Sequence, residues 1–88
     1  MDKKNLARQI RRSARLLASV GYRCAPGPEP FHVVGISATD LCLVYVSEKW
    51  PIKPWLPDEL RQVPAPQNCK RIIHHWRTRQ RWPDVMEL

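Results

Sequence analysis

Nine basic side chains near the two ends of this 88-residue sequence are the groups best suited to chemistry with a partner. Five recur at helical spacing near the N-terminus, and four lie near the C-terminus. They are Lys4, Arg8, Arg11, Arg12 and Arg15, and Arg71, Arg77, Arg79 and Arg81. No acidic residue separates the members of either group. Because such cations repel one another and bind phosphates, they predict a nucleic-acid-binding surface, with DNA favoured over RNA; the alternative is an ordinary solvated face.

Two tryptophans alternate with lysines in the segment after the middle of the chain. Trp50 and Trp55 are interleaved with Lys49 and Lys53. This pattern is typical of sites where aromatic rings stack on bases while lysines meet phosphates. We therefore predict base stacking as one role for the two indoles. The alternative is that both rings cover the edge of a small core, since tryptophan is mostly buried in small domains.

No pattern in the chain indicates a nucleophilic enzyme or a metal centre. Ser47 and His32 lack the G-x-S-x-G context of a hydrolase nucleophile. His74 and His75 are adjacent, so on a strand they would face opposite sides and could not hold one ion together. The possible zinc ligands match no structural zinc spacing, and these residues are Cys24, Cys42, Cys69 and His74. We expect neither a metal nor a cofactor.

The first basic group must be positioned by a helix, which we predict over residues 2–20. Asp2 or Asn5 can cap its start, and Gly21 is placed to end it. Four apolar residues of this segment fall on one face, opposite the cations. They are Leu6, Ile10, Leu17 and Val20.

A β-hairpin organises the middle of the chain. Residues 31–36 and 41–46 are apolar runs joined by a small, polar turn at residues 37–40. The second run is apolar on both sides, which is typical of a central strand covered on both faces. We expect Val44 and Val46 to face the core on the side opposite Tyr45.

The remaining elements complete one α/β domain over residues 1–88. We predict a strand beginning at residues 22–24, a short helix over residues 57–63 and a last strand over residues 70–78. If the last strand continues extended, Arg77, Arg79 and Arg81 share one side. Residues 82–88 are expected to close over the core. The predicted fold is a small mixed sheet of three to four strands with the N-terminal helix packed on it.

This order of elements resembles the small nucleases of the PD-(D/E)XK superfamily, especially the Holliday junction resolvase-like members. In that family a helix and a strand precede a Pro-Asp that opens the second strand, and Glu-x-Lys closes the third. Here His32 stands at the Asp position, Tyr45 at the Glu position and Ser47 at the Lys position. The resemblance spans nearly the whole chain in pattern and implies a restriction-endonuclease-like fold with a degenerate active site.

Catalysis in such nucleases requires two carboxylates that hold a divalent ion. Histidine, tyrosine and serine side chains lack the negative charge for Mg²⁺, so we predict no catalytic residue. The acids that could replace them are Glu29, Asp40 and Glu48. We expect Glu48 to point away from Tyr45 if the strand extends that far, and none of the three forms a convincing pair.

Composition and cysteine usage limit the class of protein. Fifteen Lys and Arg against eight Asp and Glu give a formal charge of +7, which favours a polyanionic partner. Three cysteines without CxxC spacing indicate reduced thiols. No apolar run approaches the ~20 residues of a membrane span, and the basic N-terminus lacks the hydrophobic region of a signal peptide. We therefore predict a cytoplasmic protein with no membrane contact.

The leading hypothesis is a non-catalytic nucleic-acid-binding protein on a degenerate nuclease-like scaffold. The main alternative is a protein-interaction module, an inhibitor or adaptor encoded by a phage or mobile element, that binds a protein partner. The third is an active metal-dependent nuclease with a relocated site. The resembling resolvases act as dimers, so the resemblance also allows a homodimer.

Overall fold

Seven helices and strands follow one another in a computed structural model that describes residues 3–77 and 79–88, without the side chains of Lys3 and Lys4. In chain order they are α1 (Lys3–Ser19), β1 (Arg23–Pro26), β2 (Val33–Ile36), β3 (Leu41–Ser47), α2 (Leu56–Arg61), β4 (Cys69–His75) and β5 (Asp84–Glu87). The strands form one sheet in the order β1-β2-β3-β4-β5. Only β3 and β4 pair in parallel, and the other neighbours are antiparallel. The α/β class, the mixed sheet and the N-terminal helix are confirmed.

The prediction of three to four strands was wrong, because the sheet has five. Residues 84–87 form β5, which pairs with β4 from Ile72↔Glu87 to His75↔Asp84. From the sequence, we predicted that this segment closes over the core, but we did not predict a strand there. It is short and carries acidic residues at both ends, so its local pattern is weak, and the exposed edge of β4 supplies the hydrogen-bond partners that make it a strand.

The predicted hairpin is confirmed as β2 and β3. Val33 pairs with Val44 and Ile36 with Leu41 across the two strands. In the turn, the Ser37 amide donates to the Asp40 carbonyl at 3.0 Å, and the Ser37 hydroxyl bonds the Asp40 carboxylate. The Tyr22 hydroxyl reaches the same carboxylate at 2.7 Å. The hydrogen bond to this carboxylate raises the pKa of Tyr22 to about 12.

Strand β3 lies in the middle of the sheet and is covered on both faces, as predicted. Val44 and Val46 are buried in the cluster under α1, together with Leu17. Leu43 is buried on the other face with Leu60 of α2, and Tyr45 packs against that second cluster. The alternation predicted for this strand is therefore confirmed. Both faces have a buried core, so the strand cannot change register without exposing one of them.

Helix α1 packs three of its four predicted apolar residues against the sheet. Leu17 is buried in the first core cluster, and Leu6 and Ile10 are partly buried and pack against it. Val20 was predicted with them but is 67% exposed, because α1 ends at Ser19. Gly21 ends the helix with φ of 102°, a conformation that glycine adopts without strain. The predicted cap Asp2 lies outside the described residues.

A polar network is buried between α1 and β4. The fully buried Ser13 hydroxyl lies 2.9 Å from Nδ1 of His74 and accepts the Trp76 indole N–H at 2.8 Å. Burial lowers the pKa of His74 to about 4, since the imidazolium would lose its hydration. His74 is therefore neutral in the folded protein at neutral pH.

Acid should destabilise the fold well above the pH at which carboxylates titrate. The folded pKa of His74 lies below the unfolded value of 6.5, so the unfolded chain binds the extra proton. The contribution of neutral His74 to the free energy of unfolding is fully present above about pH 6.5 and is lost as the pH drops towards 4. The loss is about 1.4 kcal/mol per pH unit, near 3 kcal/mol in all.

Urea unfolding at pH 7.5, 6.5 and 5.5 measures this effect. Burial also lowers the pKa of His32, which adds in the same direction. His74→Gln should flatten the slope of unfolding free energy against pH. A wild-type protein equally stable at all three pH values would contradict the buried, neutral His74.

Candidate nucleic-acid interface

A groove of about 300 Å³ brings together the two ends of the chain. One wall is the solvent side of α1, with Arg12, Arg15 and Ser19. The other wall follows β4 and includes Arg81 and Trp82. None of the described residues that line the groove is acidic. Cations that are more than 60 positions apart in the sequence thus share one concave surface.

Arg12 forms the junction between the two walls. Its guanidinium lies 4.2 Å from the centre of the Trp76 ring and donates to the Gln80 carbonyl at 2.7 Å. A guanidinium over an indole gains from the negative face of the ring, and more so where it is partly desolvated. Arg12 is half-buried, so it joins α1 to the segment after β4 and also adds its charge to the groove.

Trp82 supplies an aromatic surface beside these cations. Trp82 is 60% exposed, and the Arg81 guanidinium lies 5.7 Å from the centre of its ring. An exposed indole among arginines is suited to stacking on an unpaired base. Neither tryptophan of the groove was predicted as a site residue, although the sequence Arg81-Trp82 carries the same aromatic-cation signal as the segment 49–55.

The predicted strand over residues 70–78 is confirmed in part as β4, but the chain turns after it instead of continuing extended. Strand β4 ends at His75, and the Gln80 amide donates to the Arg77 carbonyl at 3.2 Å. Arg79 adopts a left-handed backbone with φ of 64°. Arg77, Arg79 and Arg81 therefore do not share one side of an extended chain. Thr78 lies outside the described residues.

The other predicted cations are distributed unevenly. Arg8, Arg11 and Arg15 are exposed on α1, and Arg79 is exposed in the turn. Arg77 is bound to the Asp84 carboxylate at 2.6 Å. Arg71 lies on the other face of the sheet, where it donates to the Val63 carbonyl at 2.6 Å. The side chain of Lys4 lies outside the described part of the chain.

Trp50 and Trp55 are each about half exposed near the end of β3. The Trp50 ring stacks on His75, with ring centres 5.4 Å apart and planes 25° apart. The Lys53 ammonium lies 5.1 Å from the centre of the Trp55 ring. Each ring thus has one partner within the protein and a large exposed area. Neither belongs to the buried core clusters.

A second and larger cavity, of about 550 Å³, contains all three positions that the nuclease resemblance singles out. His32, Tyr45 and Ser47 line it together with Glu48 and Glu59. The rings of His32 and Tyr45 are 4.9 Å apart. The expectation that Glu48 points away from Tyr45 applied only if the strand reached Glu48, and this condition is not met. Strand β3 ends at Ser47, so the alternation of the strand no longer determines the direction of Glu48.

His32 is not arranged to hold a divalent cation in this cavity. Nδ1 of His32 accepts the Val46 amide at 2.9 Å, so the neutral ring carries its proton on Nε2 and has no free lone pair for a metal. Burial lowers the pKa of His32 and raises the pKa of Tyr45, which keeps both groups neutral. In residues 3–77 and 79–88 no group of three His, Cys, Asp or Glu residues could hold a metal ion.

Comparison of the chain with models of protein families, with curated proteins and with solved structures found no match. The described residues also contain no helix with the length and apolar character needed to cross a bilayer.

Proposed function

We propose that this protein binds nucleic acid without cleaving it, through the groove between α1 and the segment that follows β4. The observation that carries the proposal is the meeting of Arg12, Arg15 and Arg81 around the exposed Trp82. Exposed cations extend the same surface along α1, among them Arg8 and Arg11. The phosphates of a nucleic-acid backbone would neutralise these charges, and a base can stack on the indole.

Two features support a binding role on a nuclease-like scaffold. Helix α1, strand β1 and the hairpin β2–β3 follow in the order that the resemblance implies, with His32 just before β2 and Ser47 at the end of β3. The second feature is the bond from the Val46 amide to His32, which leaves no metal-binding lone pair at the family's Asp position.

A mobility-shift assay with single-stranded, duplex and branched DNA and with RNA tests this function. We expect a shift at about 50 mM salt that weakens steeply with added salt. If about four cations meet phosphates, affinity should fall roughly a hundredfold between 50 and 200 mM salt. Absence of any shift at 50 mM would end the proposal and favour a protein partner. Mg²⁺-dependent cleavage of these substrates would contradict the non-catalytic part.

A further inference from the structure

The cavity at the end of β3 has the size and lining of a small-molecule site. Its volume of about 550 Å³ falls within the usual range for such sites. Apolar side chains from α1, β3, the loop after β3 and α2 form part of the wall, and these are Leu6, Val46, Ile52 and Leu56. The cavity lies beyond the carboxyl end of a central strand, the edge at which open α/β sheets commonly bind ligands.

The polar groups of the cavity offer one fixed donor and two strong acceptors. His32 presents Nε2–H, because the Val46 amide occupies Nδ1. Glu48 and Glu59 line the cavity from the loop after β3 and from α2. Both carboxylates lie close enough to Tyr45 to contribute to the rise of its pKa. A ligand here therefore needs N–H groups for the carboxylates and an acceptor for the imidazole.

Flat aromatic surface and positive charge complete the lining. Tyr45 and Trp55 contribute rings, and Lys49 and Lys53 contribute exposed ammonium groups. The lysines would repel a cationic ligand, and the carboxylates would repel a purely anionic one. A nucleotide meets both conditions, because its base is flat, neutral and edged with N–H groups while its phosphate is anionic.

We propose that this cavity binds the base of a nucleotide, with guanine preferred, and that Lys49 or Lys53 meets the phosphate. Guanine carries two N–H donors side by side, which match the two oxygens of one carboxylate, and O6 and N7 as acceptors for an N–H donor. Adenine and cytosine offer one amino group, and uracil a single N–H. The base could come from a free nucleotide or from an unpaired position in a strand; the second source rests on the proposed nucleic-acid function.

Indole N–H signals in a ¹H–¹⁵N spectrum locate the binding site, because the chain has four tryptophans and only Trp55 lines this cavity. Titration with GMP should move the Trp55 signal and leave the Trp82 signal in place. UMP should bind at least tenfold more weakly than GMP. A Trp55 signal that stays fixed at millimolar GMP, or equal binding of UMP and GMP, would overturn the proposal.

Two matched variants on α2 test the carboxylate. Glu59→Gln should weaken GMP binding about tenfold or more, since a charged hydrogen-bond acceptor is lost. Asp58→Asn makes the same charge change in the same turn of α2, but Asp58 does not line the cavity, so GMP binding should change less than twofold. Equal effects of the two variants would contradict the role of Glu59. Their spectra report folding at the same time.

Experiments with oligonucleotides distinguish a free nucleotide from an unpaired base of a strand as the source of the bound base. A strand with one unpaired guanosine should move the Trp55 signal if the cavity takes an extruded base, and an abasic residue at that position should not. Arg81→Glu should weaken oligonucleotide binding but leave GMP binding unchanged, because Arg81 lies in the groove. If the groove does not bind nucleic acid, the GMP experiment therefore still tests the cavity. A Trp55 signal that GMP moves and the strand does not would restrict the site to free nucleotides.

Discussion

Val44→Asp is expected to prevent this protein from folding. Val44 is fully buried under α1 in the middle of the central strand β3. A carboxylate there would lose its hydration without gaining a partner, which costs several kcal/mol even after protonation. A domain of this size has a folding free energy of only about 4–13 kcal/mol. Circular dichroism and thermal unfolding should show no cooperative transition.

Val85→Asp is the matched control for this variant. Val85 also lies on a strand, but it is 58% exposed on β5. The same substitution there should cost at most about 1 kcal/mol, the span of strand propensities. If Val44→Asp unfolds at the wild-type temperature, the register of β3 is wrong. If Val85→Asp also abolishes folding, β5 is more tightly packed than its exposure indicates.

Reversing two charges of the groove should eliminate the mobility shift. In the double variant Arg15→Glu and Arg81→Glu, one carboxylate from each wall would face the phosphates. Single changes of these arginines to Ala should each reduce the slope of log affinity against log salt by about one. Arg12 is left intact, because it contacts Trp76 and Gln80 and its reversal would also disturb the fold.

The control for charge reversal is a second double variant with the same net charge. Arg23 and Arg61 are exposed on β1 and α2 and do not line the groove. Arg23→Glu with Arg61→Glu should retain most of the binding, with a modest loss from long-range repulsion. An equal loss in both double variants would show that net charge, and not the groove, drives binding. No loss in either would favour a protein partner.

The local pattern of the sequence predicted the hairpin, both faces of β3 and most of the buried face of α1. The period of 2 residues in a strand and of 3.6 residues in a helix determines the side of the element from which each side chain projects. The core positions Val44, Val46 and Leu17 follow from this rule alone. The rule failed for Val20, because the end of the helix depends on where Gly21 turns the chain. The separation of cations towards the chain ends was also visible in the sequence.

The tertiary structure decided which of these side chains meet. Arg15 and Arg81 share a groove while Arg71 lies on the opposite face, and no spacing in the sequence distinguishes them. Glu48 and Glu59 reach one cavity because α2 crosses between the parallel strands β3 and β4. Periodicity sets the direction of a side chain within its own element. The neighbours of that element depend on strand order and crossover, which are set by long-range packing of the whole chain.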